Sequence, residues 1–96
     1  MSRNAPITKF LSQLDWEGKL ATLARALGQE LPDRNMLRPD LINKVLEDLA
    51  DKLWHSERAG VFLNTLFMGD PRLEDILPAC LLERVDKYRK AAASGT

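Results

Sequence analysis

The residues that could do chemistry are few and stand close together. The only histidine, His55, lies in the run Trp54-His55-Ser56-Glu57. Histidine beside serine and a carboxylate supplies the residue types of a base, a nucleophile and an orienting group. The spacing does not suit that use, because side chains one or two apart on a helix do not face each other. The three could converge only if the chain turned here. The plainer reading is a junction between two helices, with Ser56 capping the second. The single cysteine, Cys80, falls at the edge of an apolar arc, where a small thiol packs as an inert hydrophobe. An exposed, redox-active or dimer-linking thiol is the alternative.

Metal and cofactor chemistry finds no better footing. One histidine and one cysteine cannot complete the tetrahedral nitrogen and sulfur set that zinc takes. No loop has the carboxylate spacing of an EF-hand. The five glycines are isolated and make no phosphate cradle. The sequence thus predicts a non-enzymatic protein with no catalytic residue, no cofactor and no metal.

Elements at helical spacing must position whatever function remains. With residues set at 100° steps, apolar side chains gather on one side of each segment. Ile7, Phe10, Leu11 and Leu14 do so over 6–14, behind a proline suited to a first turn. Trp16, Leu20, Leu23, Ala24 and Leu27 form a core arc, with Asp15 as its cap and Gly28 as its left-handed stop. Residues 29–39 read as a loop with a helical turn near Arg34, pinned by Leu31, Met36 and Leu37. A long helix follows from Asp40 to Trp54 or His55, with Leu41, Ile42, Val45, Leu46, Leu49 and Leu53 inward. Helices over 57–68 and about 71–77 come next, the second opened by Asp70-Pro71. The last runs from near Pro78 to about Ala92, with Leu77, Leu81, Val85, Tyr88 and Ala92 inward. Glu83–Lys87 and Asp86–Lys90 are spaced for ion pairs along it. No segment alternates with period two. The expected fold is all-α, a single compact bundle of five or six helices over residues 1–96, with frayed tails at 1–4 and 93–96.

Composition agrees with one small domain. The chain has 96 residues, is 45% apolar, and carries 14 basic and 14 acidic side chains for a net charge of zero. That balance removes the signature of a disordered chain and the basic surplus of most nucleic-acid binders. A lone cysteine excludes an intrachain disulfide and favours a reducing, cytoplasmic compartment. The start, Met1 to Pro6, lacks the apolar core of a signal peptide, and no apolar run is long enough for a membrane. The charge is segregated along the chain: net +2 over 1–39, net −4 over 40–75 and net +2 over 76–96. Glu47, Asp48 and Asp51 cluster on the outer face of the long helix, and Lys87, Arg89 and Lys90 cluster near the C-terminus.

Two features point to a binding surface. No charged residue occurs from Ala59 to Gly69. Ala59, Phe62, Leu63, Leu66 and Phe67 make one arc, while Val61 and Met68 project from the other side. A helix apolar nearly all round is either central to the bundle or covered by a partner. Trp54, if the long helix continues through it, lies among polar residues, and tryptophan is enriched in interface hot spots. Otherwise it folds back onto the core. Val61, Met68 and Trp54, with the acidic Glu47, Asp48 and Asp51, are the expected contacts to another protein or to a second copy.

Leu23-Ala24-Arg25-Ala26-Leu27-Gly28 resembles the first half of a helix-turn-helix motif, with a small residue four positions before the turn glycine. The resemblance covers six residues of 96. It implies a DNA-binding regulator around residues 20–45, with Arg25, Arg34 and Arg38 on phosphates. The sequence departs from the motif at Arg34, where an apolar anchor belongs, and in the acidic face of the next helix, which phosphates would repel. A six-helix bundle with a tryptophan early in one helix is similar in outline to the death-domain superfamily, without residues diagnostic of it. The leading expectation is a regulator, adaptor or inhibitor that acts through an apolar helical surface, on a partner or as a homodimer.

Overall fold

The core explains the order of the elements. In the computed structural model, which describes residues 4–94, nineteen apolar side chains form one buried cluster and no polar or charged residue is buried with them. Five stretches supply most of it. Helix α1 (Ala5–Ser12) contributes Ile7, Phe10 and Leu11 and lies along α3 (Pro39–His55), which contributes Leu46, Leu49, Ala50 and Leu53. Helix α4 (Ala59–Gly69) packs against α5 (Ala79–Ser94). Between the first pair runs a π-helical turn (Trp16–Leu20) that continues as α2 (Ala21–Ala26) and brings in Leu20, Leu23 and Ala24. The architecture is an all-α bundle, with no strand among the described residues.

Local chemistry sets where these elements stop. Gly28 has φ +80°, and the backbone closes there as a Schellman motif: Gln29 N–H donates to the Ala24 carbonyl at 2.8 Å and Gly28 N–H to the Arg25 carbonyl at 3.0 Å. A β-carbon disfavours that conformation, so glycine is required at this point. The Asp70 carboxylate accepts Arg72 N–H at 3.2 Å, and Pro71 opens a 3-10 turn (Pro71–Ile76). Pro78 supplies the carbonyl for Leu81 and Leu82 at the start of α5, so it opens that helix rather than kinking it.

Several expectations are corrected. Asp15 holds the N-cap position, but its carboxylate accepts no amide hydrogen bond. Its backbone carbonyl takes Gly18 N–H and, five residues on, Leu20 N–H, which makes the first turn π-helical; the carboxylate fills the space beside Gly18. Met36 is 82% exposed, because the three-residue turn Arg34–Met36 points it outward, while Leu31 packs on the core and Leu37 is half-buried. Leu41 is also exposed; at 100° per residue it stands roughly 110° from the centre of the α3 core arc. Ala92 is exposed because the last turn of α5 carries no covering element; the helix runs to Ser94. At the other end the Asn4 carbonyl accepts Thr8 N–H at 2.8 Å, and its amide reaches the Asp51 carboxylate at 3.5 Å. The expected tails at 1–3 and 95–96 lie outside the described residues. The Glu83–Lys87 and Asp86–Lys90 pairs are not formed among the described residues.

Candidate interaction site

The end of α3, the start of α4 and the middle of α5 meet around an open groove of about 580 Å³. Its construction starts at Gly60. A β-carbon at that position would sit 2.7 Å from the Arg84 carbonyl oxygen and 2.9 Å from the Tyr88 β-carbon. The lack of a side chain therefore lets α5 approach α4 closely. That approach brings Arg84 over the face of Trp54, with the guanidinium carbon 4.4 Å from the ring centroid. Arg84 Nη1 also donates to the Ser56 carbonyl at 3.3 Å. The cation is thereby held in one place by a π-face and a backbone acceptor. Lys87, one turn further along α5, shares the groove wall with Val61 and Tyr88.

The sequence-predicted contacts divide. Trp54 and Val61 line this groove together. Both are half-buried, and Trp54 packs against the core, so neither of the two alternatives for it holds alone. Met68 lies two turns beyond Val61 on the same stripe of α4 and is 79% exposed. The helix is therefore not wrapped on all sides: it buries Ala59, Gly60, Leu63, Leu66 and Phe67 and leaves one stripe open. Glu47, Asp48 and Asp51 are exposed on α3. Asp51 is engaged, accepting from Asn4 and lying 3.4 Å from His55 Nδ1. Of the basic residues near the C-terminus, Arg89 is committed within the fold. It donates to the Glu74 carboxylate at 2.6 Å and to Asn64 Oδ1 at 2.9 Å, and so ties α5 to α4 and the 3-10 turn.

His55 and Ser56 both bond to groups close by in the sequence. His55 Nδ1 lies 2.9 Å from the Asp51 carbonyl oxygen, one turn back on its own helix. Ser56 is the C-cap residue of α3, and its Oγ accepts Arg58 N–H at 3.2 Å in the turn between the helices; the expected capping of α4 by Ser56 is corrected, because Arg58 holds that N-cap position without a side-chain bond. Cys80 is half-buried against the core. Among the described residues, no three His, Cys, Asp or Glu side chains come together as a metal-binding group. The Asp70 carboxyl has a lowered pKa. The hydrogen bond from the Arg72 side chain, helped by the Arg72 amide and the charges of Arg72 and Lys19, holds it below the usual carboxylate range.

The helix-turn-helix resemblance finds no tight turn. Residues 29–33 form no regular element, a 3-10 turn follows, and the next long helix begins only at Pro39. Arg25, Arg34 and Arg38 are exposed, and Arg34 lies over Trp16, 6.0 Å from its ring centroid. Sequence reasoning missed Arg84, Tyr88 and Gly60 as parts of one site. The available signal was Gly60 itself, an isolated glycine inside a helical pattern, which usually marks a close packing contact. Comparison with protein-family models, curated proteins and solved structures returns no match.

Proposed function

We propose that this chain is a non-enzymatic protein-interaction module, a regulator, adaptor or inhibitor that occludes or scaffolds a partner through the open stripe of α4 and the adjoining groove. Met68 carries this reading: it is 79% exposed on a helix with no charged residue, in line with half-buried Val61. A large apolar side chain so placed gains about 1.5–3 kcal/mol when covered. Trp54, under a fixed cation in the same groove, is the residue type that anchors interfaces. The single cysteine supports a reducing, cytoplasmic setting, and no described helix is long and apolar enough to cross a membrane. The nucleic-acid reading through Arg25, Arg34 and Arg38 has less support, because the helix that would follow the turn is acidic on its outer face.

The test is a photo-crosslinking residue placed at Met68 in cells, with Asp75 as an exposed control. One discrete adduct from position 68, whether to a second copy or to another protein, is the expected result. Absence of any adduct specific to position 68 would overturn the proposal. In parallel, Val61→Asp with Met68→Lys should leave a folded protein by circular dichroism. Unfolding would place both side chains in the core, where unpaired charge is very costly.

A further inference from the structure

Resting on that reading, we infer that the partner docks a polypeptide segment in which a side-chain carboxylate stands beside a bulky apolar residue, with the acid on Arg84 and the apolar group on Val61 and Tyr88. The way Arg84 is held carries this. An arginine free in solvent samples many rotamers and loses that freedom on binding. Arg84 is half-buried and already fixed, by the Trp54 ring at 4.4 Å and by the bond from its Nη1 to the Ser56 carbonyl at 3.3 Å. Its other N–H donors meet no acceptor among the described residues, and no buried side-chain nitrogen or oxygen there lacks a partner, so those donors reach solvent. A planar fork that is oriented beforehand and keeps donors free suits a carboxylate and loses little entropy in binding one. Arg89 shows such a fork filled within the fold, by Glu74 and Asn64. No acid of the fold fills that of Arg84.

The rest of the lining selects among anions. Lys87 adds a second cation and Glu57 a carboxylate, so two positive charges face one negative. That surplus matches a single carboxylate. A phosphorylated side chain carries about −1.5 to −2 at neutral pH, and Glu57 would repel it more strongly. The groove of about 580 Å³ is also far larger than one carboxylate, and Val61, Tyr88 and Ala91 offer apolar surface beside the cations. From Val61 the open stripe of α4 leads to Met68, seven residues and so about 10 Å further along the helix. A polypeptide can fill the groove and continue over Met68; a small acid can do only the first.

Selection of a random peptide library on the intact chain, followed by fluorescence anisotropy of the recovered peptides, tests this. Those peptides should share Asp or Glu next to a bulky apolar residue. Changing that acid to its amide should weaken binding by about tenfold or more, as for a charge-assisted hydrogen bond. Arg84→Met should cost the same, and the two changes together should cost no more than either alone, because they remove one contact. Two variants of exposed side chains keep the test decisive even where Arg84→Met does not fold. Glu57→Gln should tighten binding by about two- to fivefold, and Lys87→Gln should weaken it by about as much. Peptides that need no acid, or an acid whose loss is independent of Arg84, would overturn the inference. So would binding that requires a free C-terminal carboxylate, binding that tightens when phosphoserine replaces the acid, or self-association of the chain that excludes the peptides. Recovery of no peptide at all would overturn it as well. In each of these cases a discrete Met68 crosslink would leave the interaction-module reading standing, and its absence would remove both.

Discussion

Trp16 and Trp54 are both half-buried, both packed against the core, and both faced by an arginine. Trp16 is closed by its own chain. Its indole N–H donates to the Pro32 carbonyl at 3.0 Å, sixteen residues on, and so straps the loop after Gly28 across the ring. Its arginine, Arg34, is distant at 6.0 Å and belongs to that same loop. Trp54 stands at the mouth of the groove, and its arginine is close at 4.4 Å and arrives from a helix thirty residues later. One tryptophan finishes a fold and the other furnishes a surface. The residue type is common to both; the difference lies in whether a loop or open space covers the remaining face.

Removing the closed ring should cost the most. Full truncation of a buried tryptophan costs about 3–5 kcal/mol, and half-burial lowers that for Trp16→Ala to about 2–3 kcal/mol. Trp16→Phe keeps most of the packing and loses the bond to Pro32, so its cost should be nearer 1 kcal/mol. Urea unfolding followed by circular dichroism reads both. Equal costs for the two variants would mean that the strap contributes through the hydrogen bond alone.

The open corner depends instead on backbone approach. Gly60→Ala gains about 0.5–1 kcal/mol of helix propensity but forces a β-carbon against the Arg84 carbonyl oxygen, where overpacking costs about 1–3 kcal/mol. A net loss of about 1–2 kcal/mol is expected because the obstacle is backbone, which cannot swing aside. Gly69→Ala, with nothing within 4 Å of the added carbon, is the control and should cost nothing measurable. A neutral Gly60→Ala would show that α5 can slide, and that the groove is not held at one width.

The two cations sharpen the contrast further. Arg84→Met should destabilise by about 0.5–1 kcal/mol, since a cation over a tryptophan face is worth that at a partly exposed site. Arg34→Met, at the longer distance, should stay within about 0.5 kcal/mol of the wild type. If thermal unfolding gives the two variants equal losses, the shorter stack does not fix Arg84, and the groove has no oriented cation.

How much of this was legible in the sequence follows from the range of each interaction. The helices were, because Ile7, Phe10 and Leu11 or Leu46, Leu49 and Leu53 repeat at helical spacing and every packing partner reads the same stripe. The stops at Gly28 and Asp70-Pro71 were, because capping is chemistry within a few residues. Asp15 was misread because the same carboxylate can cap or can lie over Gly18, and only the Asp15 carbonyl's two bonds decide between them. Met36 and Leu41 were misread because an apolar side chain near an element's end has no periodic neighbour to fix its direction. At the candidate site, Trp54, Val61 and Met68 could be suspected from α3 and α4 alone. Their assembly with Arg84 could not, because it depends on where α5 crosses α4, which no local pattern encodes.

The smallest expected effect lies at the end of α4 away from the groove. Lys19, three residues after Trp16, reaches the Asp70 carboxylate at the end of α4 at 3.9 Å, and Arg72 holds the same carboxylate at 3.3 Å. Asp70 titrates below the usual carboxylate range in the folded protein, chiefly because of the Arg72 hydrogen bond. Its folded pKa is therefore lower than its unfolded one. The charge stabilises the fold above the unfolded pKa, and that contribution is lost as pH falls through the lowered folded value. Asp70→Asn retains a side chain that can cap the 3-10 turn and removes only the charge. The variant should be slightly less stable than the wild type at neutral pH, and the gap should close at acid pH and shrink with added salt. Thermal unfolding across that range measures it. A gap that persists below the carboxylate range would assign the role of Asp70 to the shape of the cap.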